Sequence, residues 1–172
     1  MPENTQMSEN IVSAPPGESW FSITRRFEAP PGLIWRCYTE PQHLARFWGP
    51  RDATTTSTVD LRVGGIWHTQ WQYENGSSFG YTSVYLEIAE PRLLRYRDAP
   101  NGWSGGLDGL PPVDLLSAIT LESKDNGTEV FVKVVCTSVA ARDETVRRGF
   151  ALMVGTGHDR LAEYLKTLDA ET

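Results

Sequence analysis

Between Thr54 and Cys136 the chain is a succession of stretches with a two-residue period, cut by glycine and proline turns. From about Ala141 to Leu168 it changes to one long helical stripe. That change constrains the fold more than any other feature. The strand-like runs are Thr54 to Leu61, Ile66 to Tyr73, Phe79 to Ile88, Leu93 to Arg97, Leu115 to Glu122 and Thr128 to Cys136. Most of them are joined by connections of hairpin length, which makes the sheet an antiparallel meander. The stripe Val146, Phe150, Met153, Val154, Leu161, Leu165 and Leu168 repeats near 3.6 residues and belongs to the only element long enough to cover one face of such a sheet. Gly149, Gly155 and Gly157 inside it cost on the order of 1 kcal/mol each relative to alanine. The helix is therefore expected to pass close to other backbone or to leave room beside it. A curved sheet that grips one helix does not close perfectly, and the volume between them becomes a cavity unless large side chains fill it.

Upstream of the meander, Trp20 to Phe27 has the pattern of a first strand. Pro30-Pro31 opens a short helix carrying Leu33, Ile34, Cys37 and Tyr38 at helical spacing, proline being tolerated in a first turn. Thr39-Glu40-Pro41-Gln42 has the form of a capping box, which starts a second short helix from about Glu40 to Phe47; Gly49-Pro50 ends it. Residues 1–18 are polar and expected to be a disordered tail, leaving 19–172 as a single α+β domain. The hairpins are expected to turn at Asn75-Gly76 and Asn126-Gly127. Both also match the glycosylation pattern, but Asn-Gly between strands is first a hairpin signal.

A length of 172 residues is one domain's worth, and a chain of that size needs neither disulfides nor metal to stay folded. Sixteen Lys+Arg against twenty-two Asp+Glu leave a charge of -6, which makes nucleic acid and anionic membrane surfaces poor partners. Cys37 and Cys136 sit in apolar patterns and read as small buried hydrophobes rather than a disulfide. No signal peptide pattern and no membrane-length apolar run is present, so a cytoplasmic location is expected. The chain holds no Gly-x-Ser-x-Gly elbow, no His-Glu-x-x-His and no P-loop. Its three histidines lie far apart, and Gly64-Gly65 lacks the helix a phosphate cradle requires. No metal or other cofactor is expected.

Four collinear blocks carry a resemblance. They are Pro30-Pro31-Gly32-Leu33-Ile34-Trp35, the run Thr39 to Pro50 with His43-Leu44-Ala45-Arg46-Phe47-Trp48 at its centre, Val59-Asp60-Leu61-Arg62-Val63-Gly64-Gly65-Ile66-Trp67, and Asp159-Arg160-Leu161-Ala162-Glu163-Tyr164-Leu165. Together they resemble the single-domain Hsp90-ATPase-activator-homologue (AHSA1-like) family, within the START/Bet v 1-like superfamily also called SRPBCC or polyketide cyclase-like, over residues 20 to 169. The resemblance implies a helix-grip fold: a curved antiparallel sheet of about six or seven strands wrapped on the C-terminal helix, with two short helices after the first strand. It also implies a hydrophobic pocket between sheet and helix, though not one activity. The chain departs from the family at Ser83, where relatives carry glycine. It departs again at Gly155-Thr156-Gly157-His158, where a bulky Trp and a Leu are replaced by smaller or more polar groups. If these positions face the pocket, it is larger and wetter than usual.

Strand parity places Trp67, Trp71, Tyr81 and Tyr85 on the inward face, and Ile119 belongs to the same lining. Phe47 and Trp48 end the second helix, and Phe150, Val154 and His158 follow the long helical stripe; all are expected to look into one space. So many amphipathic aromatics suit an apolar ligand carrying a few oxygens. Trp103, among Gly102, Gly105 and Gly106, is a candidate lid for the mouth or a partner contact. His158 is the one weak catalytic candidate, as a general acid/base with Tyr81 or Tyr85; His43 and His68 have lesser claims.

The leading expectation is therefore non-catalytic binding of a small hydrophobic molecule, lipid-, polyketide- or aromatic-like. A small cyclase- or hydrolase-like enzyme using His158 is the alternative. Stimulation of Hsp90 is disfavoured, because in the activators that name the family a separate N-terminal domain precedes this one. Homodimer formation is left open.

Overall fold

The structure, a computed structural model, describes residues 9–170. In chain order its elements are β1 (Ile11–Ser13), β2 (Trp20–Phe27), α1 (Pro31–Thr39), α2 (Pro41–Phe47), β3 (Ala53–Val59), β4 (Ile66–Tyr73), β5 (Ser78–Ala89), β6 (Leu93–Ala99), β7 (Leu115–Lys124), β8 (Gly127–Cys136), α3 (Val139–Arg147) and α4 (Phe150–Ala170). All eight strands join one antiparallel sheet in the order β1-β2-β8-β7-β6-β5-β4-β3. This is the α+β helix-grip fold, with one or two strands more than the sequence pattern indicated.

Register decides what faces inward. The partners Trp67↔Ser83, Thr69↔Tyr81 and Trp71↔Phe79 link β4 to β5, and Ser83↔Asp98 and Tyr85↔Tyr96 link β5 to β6. The concave face continues through Tyr96↔Ser117 and Ser117↔Val134 to Val134↔Phe21. Because side chains alternate strictly along a strand, these pairs fix one inner surface across the sheet. Over the β2–β8 side that surface is solid core: Phe21, Ile23, Val130 and Val134 are fully buried with Ile34, Leu44 and Leu161. Cys37 and Cys136 are buried free thiols in the same core.

Four local expectations are corrected. The tail expected over 1–18 is too long, since Ile11–Ser13 pairs with Ser22–Thr24 as an edge strand; residues 1–8 lie outside the described residues. The polar composition that suggested disorder there includes Asn10, whose amide is tied to α4 at Gly155 and Asp159. The C-terminal helix is two helices, broken where Gly149 takes φ +92°, a conformation unfavourable to side chains. No capping box forms at α2: the Thr39 hydroxyl donates back to the Trp35 carbonyl, and Glu40 takes the cap position without a side-chain bond. Finally, the β7–β8 hairpin turns one residue earlier than expected, on Asp125 and Asn126, which both have positive φ as a type I′ turn requires.

At the end of α2, Gly49 takes φ +112° and lies against the buried Trp71 indole, where an added Cβ would sit 2.3 Å from Nε1. Gly49→Ala is expected to destabilise the protein by at least about 2 kcal/mol, from backbone strain plus the displaced ring. A urea unfolding midpoint indistinguishable from the parent would contradict this packing.

Candidate functional site: a cavity under the terminal helix

α4 seats against β2, α2 and α3. Beyond it, over β4 to β7, the concave face stays open and leaves a cavity of about 380 Å³. That is within the range of small-molecule sites. Nine of the residues singled out in the sequence line it: Phe47, Trp48, Trp67, Trp71, Tyr81, Ile119, Phe150, Val154 and His158. Phe79 and Met153, both exposed, stand on the lining too and give its mouth an apolar rim.

Trp67 organises the inner wall. Its ring lies 4.6 Å from that of Trp48, 5.1 Å from Tyr96 and 6.1 Å from Tyr85, the last in a parallel stack. Such contacts add roughly 0.5–1.5 kcal/mol each beyond area burial. Tyr81 Oη accepts a hydrogen bond from Trp48 Nε1 at 2.6 Å, pinning the α2 end to the sheet. Burial pushes the Tyr81 phenol up to about 12 and raises Tyr96 well above the usual phenol value, so both are neutral hydroxyls at physiological pH.

Two expected members lie elsewhere. Tyr85 is fully buried behind Trp67, outside the cavity; β5 carries a bulge directly after it, and its ring completes the core stack. Trp103 neither lines nor lids the cavity. Its indole N–H donates to the Gly106 carbonyl at 2.9 Å, and its ring packs over Gly105, so the loop folds on itself.

Of the polar groups in the wall, sequence reasoning singled out Tyr81 and Ser83 but missed Tyr96, Asp98 and Ser117. β6 runs to Ala99 instead of stopping at Arg97, so Asp98 falls on the inward face with Leu94 and Tyr96. Across the strands Ser83 hydrogen-bonds Asp98, and Ser117 hydrogen-bonds Tyr96. Although Asp98 is partly open to solvent, desolvation against the cavity wall raises its carboxyl above its ordinary value, against the Ser83 bond and the Arg97 charge, which pull it down. The alternation Leu94, Tyr96, Asp98 was the available signal. Tyr38, Leu115, Val132 and Gly157 also line the cavity. Among the family departures, Ser83, Gly157 and His158 do face the cavity, whereas Gly155 makes room for Asn10, 3.1 Å from where its Cβ would be.

His158 is buried and its tautomer follows from its neighbours. Asn10 Nδ2 donates to Gly155 O and Asp159 Oδ1, both at 3.2 Å. Asn10 Oδ1 must therefore be the acceptor in its 3.1 Å contact with His158 Nδ1. The proton sits on Nδ1, and Nε2 carries the lone pair. Burial, with Arg25 adding repulsion, pulls the imidazole down to about 3. No hydrogen bond among the described residues joins His158 to a tyrosine, so the general acid/base pair with Tyr81 or Tyr85 is not assembled. His43 Nδ1 pairs instead with Tyr164 Oη at 2.6 Å between α2 and α4, and His68 with Thr82 on the outer face. Among the described residues no His/Cys/Asp/Glu cluster could hold a metal ion, and no helix is long and apolar enough to cross a membrane.

The low His158 value has a stability consequence. The unfolded chain takes up a proton near pH 6.5 that the folded chain refuses until about pH 3. Stability is therefore full above pH 6.5 and falls as pH drops through that window, by up to about 1.4 kcal/mol per pH unit. Chemical unfolding of the parent and His158→Gln between pH 7 and 5 checks this: the parent should lose more stability, and parallel curves would refute it.

The family model for "Activator of Hsp90 ATPase homolog 1-like protein" matches residues 28–166. A crystal structure of a Nitrosomonas europaea protein superposes with a TM-score of 0.77 at 26% identity, covering 88% of this chain and 96% of that one. A Mycobacterium smegmatis protein gives 0.77 at 22% identity, covering 92% and 98%. The AHSA1-like protein of Aeromonas hydrophila gives 0.64 at 18% identity, covering 87% and 94%. No curated protein matches the chain. With the helix-grip architecture and the match running from the end of β2 to the last turns of α4, the chain belongs to the AHSA1-like family.

Proposed function

We propose that this protein binds one small, largely apolar molecule in the cavity between sheet and α4, without transforming it. The observation that carries the proposal is the cavity itself. Some 380 Å³ walled mainly by indole, phenyl and aliphatic groups is left unfilled, although each unpacked core volume of methyl size or more costs stability. A chain selected only for stability would have placed larger residues at Gly157 or Ser117.

The wall supports the same reading. Indole, phenyl and aliphatic surfaces supply apolar burial, while Ser83, Asp98, Tyr96, Ser117 and Tyr81 offer a few convergent polar groups. That is the usual division between affinity and orientation in such sites. A turnover reading lacks an assembled pair, because His158 is engaged by Asn10 and held neutral.

The neutral fluorophore N-phenylnaphthylamine should bind with a stoichiometry of one per chain. Val154→Trp, which places an indole in the cavity, should weaken it by at least about tenfold while far-UV dichroism and the urea midpoint stay near the parent's. Unchanged probe affinity in a folded Val154→Trp variant would put the binding site elsewhere.

A further inference from the structure

Resting on that cavity reading, the charges around the wall narrow the chemistry of the occupant. We infer that its polar group is a hydrogen-bond donor with zero or positive charge, an alcohol, phenol or amine on an apolar body, and that carboxylates such as fatty acids are rejected.

No lysine or arginine is among the residues lining the cavity. The guanidinium groups of Arg160, Arg25 and Arg97, each beside or within two residues of a lining residue in sequence or space, are already committed to other oxygens. Arg160 Nη1 donates to Gly49 O at 2.7 Å and to Pro50 O at 3.0 Å. Arg25 is paired with Asp159 behind His158. Arg97, on the opposite face of β6 from Asp98, donates to the backbone carbonyls of Asp98 and Pro111. His158 contributes no positive charge, for the reasons given above. A buried carboxylate would thus meet no cation, a cost of several kcal/mol in a low-dielectric site.

Acceptors, by contrast, are present. Asp98 lines the cavity while remaining exposed, so its carboxylate stands where the cavity opens, and its cross-strand partner is the Ser83 hydroxyl rather than a cation. His158, on the helical side, is locked by Asn10 with Nε2 as acceptor. The net charge of -6 reinforces the sign of the selection.

A matched set of ligands sharing one decyl chain tests this by displacement of N-phenylnaphthylamine at pH 7.5, below micellar concentrations. Decylamine and decanol should displace the probe at concentrations about tenfold lower than decanoate requires. Asp98→Asn should remove most of the amine's advantage over the alcohol and improve decanoate. Asp108→Asn, an equal change of charge on the neighbouring exposed loop, should leave the order unchanged. Decanoate displacing as well as decylamine, or none of the three displacing a bound probe, overturns the inference and leaves the cavity reading standing. An Asp108→Asn effect as large as that of Asp98→Asn also overturns it, by tracing the selection to overall charge. Failure of the probe itself to bind is the separate result that removes the cavity reading.

Discussion

One helix has to cover an eight-stranded curved sheet, and the rest of the molecule follows from the mismatch. α4 packs on β2 and on α2, where Phe21, Ile23, Leu44 and Leu161 close into solid core. The sheet continues past the helix through β7, β6, β5 and β4, where the facing layer is incomplete: α1 reaches β7, and the end of α2 reaches Trp67. Aromatic residues lean on one another instead, Trp48 on Trp67 and Trp67 on Tyr96, forming a shell around the uncovered volume. The short α1 and α2 helices span the gap between β2 and the far edge strand β3, and so place Phe47 and Trp48 against the opposite wall.

The polar groups of the wall are arranged so that an uncharged interior survives. Tyr81 and Tyr96 are held neutral by burial, Ser117 takes the Tyr96 hydroxyl, and Ser83 takes the Asp98 carboxyl. Asp98 is the exception, a carboxylate on an inward strand position, and it is tolerated because it stands at the mouth. Placed at Leu94, four residues earlier on the same face and buried, the same group would carry the full cost of desolvation.

Much of this was open to inspection in the sequence, and the failures share a cause. Period-two alternation placed Trp67, Trp71 and Tyr81 because a strand's parity survives any detail of tertiary packing. Tyr85 has the same parity yet belongs to the core stack, since parity says which face a residue occupies and nothing of whether helix or void lies opposite. Asp98 was missed because glycine and proline density downstream pulled the expected end of β6 back by two residues. Trp103 misled for a related reason: its loop composition signalled freedom, while a single indole–carbonyl bond to Gly106 folds the loop onto itself. Asn10 was invisible, as a lone polar residue in a polar stretch carries no periodicity; only the docked α4 gives its amide three partners.

That last contact joins the two ends of the described chain through the cavity wall. Asn10 fills the space left by the missing Cβ of Gly155, takes the Nδ1 proton of His158 and reaches Asp159, whose carboxylate is paired with Arg25 of β2. Removing Asn10 takes the acceptor from the buried His158 Nδ1–H, and removing Asp159 takes the carboxylate from the buried Arg25 guanidinium, each at about 1–3 kcal/mol. Because His158 is also part of the lining, the tautomer of a lining residue is set by a residue contributed from before the first long strand. The segment that composition marks as expendable is, by this geometry, what keeps one wall of the site in a single tautomer.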